Sequence, residues 1–126
     1  MERQYIKNVP HESVMAIAEQ IAVRPGEIAS RTLAQNAAVS LTLFGFDQGE
    51  EISTHDSSGD AMVLVLEGTG RFTVAGVDYI VKAGESLVMP ANKPHAVYAQ
   101  EAFKMLLIVV FPQQGAMASQ SDPMKA

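Results

Sequence analysis

The chain has 126 residues, about one domain by the usual length prior, and its 48% hydrophobic content is enough for one buried core. Its formal charge is -5, from 14 acidic and 9 basic residues with no Lys/Arg cluster, so it lacks the positive footprint that nucleic acid or an anionic membrane surface requires. There is no cysteine. That excludes a disulfide framework, a thiolate nucleophile and a Cys-type zinc site, and leaves His, carboxylate, Met or water to hold any metal.

Met1 to Pro10 lacks the apolar stretch of a secretion signal, and the longest apolar run, Met105 to Phe111, is far too short to span a bilayer. A cytoplasmic protein is expected. Between Pro10 and Ile21, Val14, Ile17, Ala18 and Ile21 follow the i, i+3, i+4, i+7 spacing of an amphipathic helix, with Pro10 where a first helical turn tolerates it. This predicts one short N-terminal α-helix. After Arg24-Pro25-Gly26 the period shortens, and Val39, Leu41 and Leu43 alternate with Ser40 and Thr42. Short apolar runs follow at 61–66, 71–74, 79–81, 86–89, 95–98 and 103–111, separated by Gly-, Asn- and Pro-rich turns. The pattern is that of an all-β antiparallel sandwich or small barrel. The expected organisation is a helix and first strand over 1–35, a barrel over 36–112 and a flexible tail over 113–126, where Gln, Ser, Ala and Pro show no periodicity.

Within GEEISTHDSSGDAMVLVLEG, residues 49–68, Gly49, His55 and Gly68 stand at fixed spacing, and Gly84, Pro90 and His95 repeat such a pattern further on. These landmarks resemble the two conserved motifs of the cupins, and the flanking strands agree in number and order. The resemblance covers residues 49–99 and implies an RmlC-like jelly-roll β-barrel. It also implies four metal ligands, of which His55 and His95 are present. Ser57 stands where a second His is expected, Ala61 where a Glu is expected, and Ala99 where the second motif closes on Asn.

Two imidazoles are a marginal donor set, because catalytic zinc sites usually keep three protein ligands and octahedral iron or manganese needs at least as many. Asp60 or Asp56 is the nearest source of a third ligand, with Met62 or Met105 for a soft cation. If His55 points inward, strand alternation turns Ser53 and Ser57 in with it, and on the next strand Ala61, Val63 and Val65. With Val97 these define a mostly apolar pocket. Three readings of His55 and His95 stay open: residues satisfied by backbone or water, ligands of one divalent ion (Zn, Fe, Mn or Ni) completed by water or Asp, and polar groups of a metal-free pocket. His11 reads as a solvated surface residue. Ser57-Ser58-Gly59-Asp60 reads as a loop, since no nucleophile elbow presents its hydroxyls. The glycines of 67–70 read as a β-turn. Lys104, inside an apolar strand, is expected to snorkel at a sheet edge or to face an acidic partner such as Glu101.

Two functional classes follow. One is an enzyme of the kind the resemblance implies, performing metal-assisted oxygenation, isomerisation or lyase chemistry on a small organic substrate. In it His55 and His95 would hold the ion or, without one, His55 with Asp56 or Asp60 would move a proton. The other is a non-catalytic module that binds or senses a small molecule. The strand 103–111 is apolar on both faces, which a narrow lumen cannot bury, so a homodimer is expected.

Overall fold

The structure is a computed structural model that describes residues 3–113. The expectation of a flexible tail concerns, apart from Gln113, residues outside those described. Nine strands are present among the described residues: β1 (Ile28–Gln35), β2 (Val39–Phe46), β3 (Glu51–His55), β4 (Asp60–Glu67), β5 (Thr69–Val74), β6 (Val77–Lys82), β7 (Ser86–Met89), β8 (His95–Ala99) and β9 (Phe103–Val110). They form two antiparallel sheets, ordered β1-β2-β9-β4-β7 and β3-β8-β5-β6. The fold is all-β, as the short alternating runs predict. Neither β1 nor β3 had an apolar run to mark it: Ile28 and Leu33 are the large apolar residues of β1, and Ile52 is the single one of β3.

Alternation sorts the side chains. On β9, Phe103, Met105, Leu107 and Val109 face the other sheet, and Lys104, Leu106 and Ile108 face away. The main core lies between the sheets, around Phe46, Val63, Val65, Phe72, Phe103 and Met105, each at most 2% exposed. Phe46 stacks on Phe103 with ring centres 4.6 Å apart, and Phe72 meets Phe103 edge-on at 6.1 Å. This aromatic cluster fills one end of the barrel. The other end, where Ala61, Met89, Val97 and Val109 are smaller or flexible, stays partly open.

The N-terminal α-helix is not formed: the described residues before β1 contain one 3-10 turn, Ile17–Gln20, among bends and irregular chain. The segment still covers the outer face of the larger sheet, for Ile21 packs with Leu33 and Leu43 in a second apolar cluster that Val9, Ile17 and Leu106 complete. Its backbone is engaged elsewhere. Lys7 N–H donates to Leu33 O at 2.7 Å along the free edge of β1, and Ala18 O accepts from Lys104 Nζ at 2.8 Å. A helix of about 12 residues is marginal without tertiary help. Val14 is fully exposed, which no inward-facing helical stripe allows.

Lys104 also departs from expectation. β9 lies between β2 and β4, so there is no edge for Lys104 to snorkel at. The ammonium reaches Ala18 O and, at 3.5 Å, the carboxylate of Glu67. Glu101 accepts instead from Thr69 Oγ1 at 2.7 Å. His11 is exposed, as expected, and the turn expected at 67–70 reduces to Gly68, at a φ of 77°, which alone links β4 to β5 of the other sheet.

Candidate functional site

At the open end, His55 closes β3 and His95 begins β8, and the two are direct register partners across the sheet. Their rings meet edge-on with centres 4.3 Å apart. Inward direction at His55 depends on an irregularity, since Ile52 pairs with Val97 and His55 with His95, so that Ser53 and Thr54 together oppose Ala96. The bulge resets the alternation. Ile52 and His55 both face the cavity, while Ser53 lies with Thr54, Arg71 and Thr73 along a groove on the outer surface. The inward Ser53 of simple alternation is therefore corrected.

The cavity holds about 190 Å³. From the five-stranded sheet it is lined by Phe44, Ala61, Met89, Met105, Leu107 and Val109, all apolar. The four-stranded sheet gives Ile52, Val97 and the two imidazoles, and the loop after β3 gives Ser57. Of the expected pocket residues, Ser57, Ala61 and Val97 are in the wall. Val63 and Val65 are not: they point inward as alternation requires but lie further along β4, packed in the solid core at 0% and 2% exposure.

His95 is 5% exposed and His55 open to solvent, so the pair spans the cavity wall and its mouth. Each Nδ1 meets a backbone carbonyl two residues earlier, Ser53 O at 2.9 Å for His55 and Lys93 O at 3.2 Å for His95. A carbonyl only accepts, so both Nδ1 atoms carry the ring proton, and both Nε2 atoms keep a lone pair. Burial, and next the neighbouring His55, push the His95 pKa below the ordinary 6.5. The Lys93 carbonyl and the Asp56 carboxylate pull the other way.

The rim is tied together by the two loops that carry the landmarks. Asn92, at a φ of 63° that Asn tolerates better than most residues, donates its N–H to Ser57 O at 2.7 Å. Ala91 N–H donates to Asp60 Oδ1 at 2.8 Å. Asp60 thus pins the β7–β8 turn, and it is not brought together with the imidazoles. Among the described residues no three His, Cys, Asp or Glu side chains are grouped to hold a metal ion. Met105 lines the cavity, whereas Met62 faces outward and is 37% exposed. Ser57 Oγ accepts from Gly59 N–H at 3.2 Å inside its loop, away from any catalytic triad.

Two facing antiparallel sheets, wrapped around a cavity whose polar groups gather at one end, define a small jelly-roll barrel. The chain belongs to the cupin domain family, whose sequence profile matches residues 42–111. It is similar to a conserved protein of unknown function from Streptococcus pyogenes, at 42% identity and a TM-score of 0.86, over 88% of this chain and 97% of that one. A cupin superfamily protein from Desulfitobacterium hafniense is 33% identical with a TM-score of 0.81, over 85% of this chain and 98% of that one. Among curated proteins, the dimethylsulfoniopropionate lyase DddW of Ruegeria pomeroyi is 27% identical over 103 residues, 73% of this chain and 68% of that protein. No helix among the described residues is long and apolar enough to cross a membrane.

Proposed function

We propose that this protein is a small-molecule-binding cupin, with its ligand or substrate held in the barrel cavity and its polar end set against His55 and His95. One observation carries the reading: every lining side chain from the larger sheet is apolar, and the polar ones converge at a single place. That is the usual build of a ligand site. A volume of about 190 Å³ falls below the roughly 300–1,000 Å³ of pockets for drug-sized molecules, so the occupant is compact.

The family implies a divalent metal, and the donor set here meets that requirement only in part. Two Nε2 atoms oriented by carbonyls on Nδ1 suit a transition metal such as Zn, Fe, Mn or Ni. The positions of a further imidazole and a carboxylate are taken by Ser57 and Ala61, and Asp60 is engaged by Ala91. Such a pair suits a weakly held ion and does not fit a tightly resident one. When bound, an ion would polarise a ligand oxygen.

A second reading, an enzyme acting on a small organic substrate, is favoured by the orientation of the two imidazoles and supported by similarity to a lyase. Metal content separates the readings. In protein purified without an imidazole column or chelator, substoichiometric metal and a copurifying apolar molecule support the binding module, and one tightly held ion per chain supports the enzyme. In either reading the protein acts in the cytoplasm as a homodimer.

A further inference from the structure

We propose that the ligand's polar end is a hydrogen-bond donor carrying positive charge, a protonated primary amine on a compact apolar body, and not a carboxylate. The inference rests on the small-molecule reading of the cavity and names the chemistry of its occupant. Both Nδ1 atoms lie against backbone carbonyls, Ser53 O and Lys93 O, so a neutral ring at either position carries its proton on Nδ1. Each Nε2 is then an acceptor only. Neither Nε2 has a protein hydrogen-bond partner among the described residues, although His95 is 5% exposed and a polar atom so placed is normally paired.

A ligand that brings donors completes this pair, and one that brings only acceptors leaves it unmet. Ser57 Oγ adds a third acceptor at the same end of the cavity, and no Lys or Arg lines the wall to balance an anion. Asp56, next to His55, places a carboxylate close enough to act on His95. A primary ammonium offers three N–H donors to these groups and a charge that Asp56 favours. A carboxylate would meet two lone pairs and a like charge. The remaining lining, Phe44, Ala61, Met89 and Leu107 among it, accepts a hydrocarbon body of about one ring.

The test uses the full chain, stripped with a chelator and held at about pH 8, titrated by calorimetry with four probes that share one ring: benzylamine, benzyl alcohol, benzoate and toluene. Benzylamine is expected to bind tightest, about tenfold or more above benzoate, as hydrogen bonds to a charged group predict. His95→Phe, which keeps an aromatic ring and removes the acceptor, should abolish that advantage. His55→Leu, at an exposed position, gives the same reading should His95→Phe fail to fold. Benzoate binding as tightly as benzylamine, or a benzylamine advantage that survives both substitutions, overturns the proposal. If none of the four binds, toluene included, the small-molecule reading of the cavity itself fails.

Discussion

Burial decides how His95 handles its proton. The ring sits between Val74 on β5 and His55 on β3, and its folded pKa lies below the ordinary 6.5. An unfolded chain therefore takes up this proton near pH 6.5, while the folded one waits for a lower pH. Stability from this residue is complete above about pH 6.5 and is lost as the pH falls toward the folded pKa. Urea midpoints measured at pH 7.5 and 5.5 should drop at the lower pH in the natural protein, and His95→Gln should reduce that drop. An equal drop in the variant would assign the effect to other groups. The two histidines were legible in the sequence because glycine and proline landmarks fix their spacing. Direction was less so. Ser53 follows from alternation only if β3 is regular, and the bulge opposite Ala96 is set by pairing with β8, 40 residues away in the chain, which no local pattern announces.

The N-terminal segment shows how one apolar pattern can serve two structures. Val9, Ile17 and Ile21 seal the outer face of β1, β2 and β9, the work foreseen for a helix, but they do so from an irregular strap. Periodicity over 12 residues reported burial at Ile17 and Ile21 but not at the exposed Val14, and it gave the backbone conformation wrongly; the Ala18 carbonyl is held by Lys104 Nζ. The strands were easier to read, since alternation and turn residues agree over most of β4 to β9. Two measurements check the strap. Far-ultraviolet circular dichroism should show β structure without a helical component. Ile21→Ala should cost about 2–3 kcal/mol, read as a lower urea midpoint, because the side chain is 7% exposed and packs on Leu33 and Leu43. A loss below about 0.5 kcal/mol would mean that the strap is not docked in solution.

For the whole molecule, the outer face of the larger sheet is only half covered. The strap shields Leu43 and Leu106, but Met62, Val88 and Val110 remain 37%, 53% and 57% exposed beside the partly buried Ile108 and Leu64. Met62 pairs with both Val88 and Ile108, so the patch is continuous across β7, β4 and β9. Two copies of a flat apolar sheet face suit an isologous pairing. Light scattering at micromolar concentration should give a dimeric mass, and Val88→Glu with Met62→Lys should shift it to monomer. A monomeric mass for the natural chain would contradict this.

The barrel keeps a two-histidine pocket in which, among the described residues, no third His, Cys, Asp or Glu is grouped with the imidazoles. Restoring Ser57→His and Ala61→Glu together should tighten divalent binding by orders of magnitude, with Ala61→Glu alone a check on folding because that position is 3% exposed. The natural protein decides the matter by itself. Calorimetric titration of zinc, manganese and nickel into the chelator-stripped chain should give dissociation constants of about micromolar or weaker, weakening further in acid as protons compete with the ion for imidazole nitrogen. Nanomolar binding by the unmodified chain would contradict the account and would mean that a third protein ligand closes on the ion.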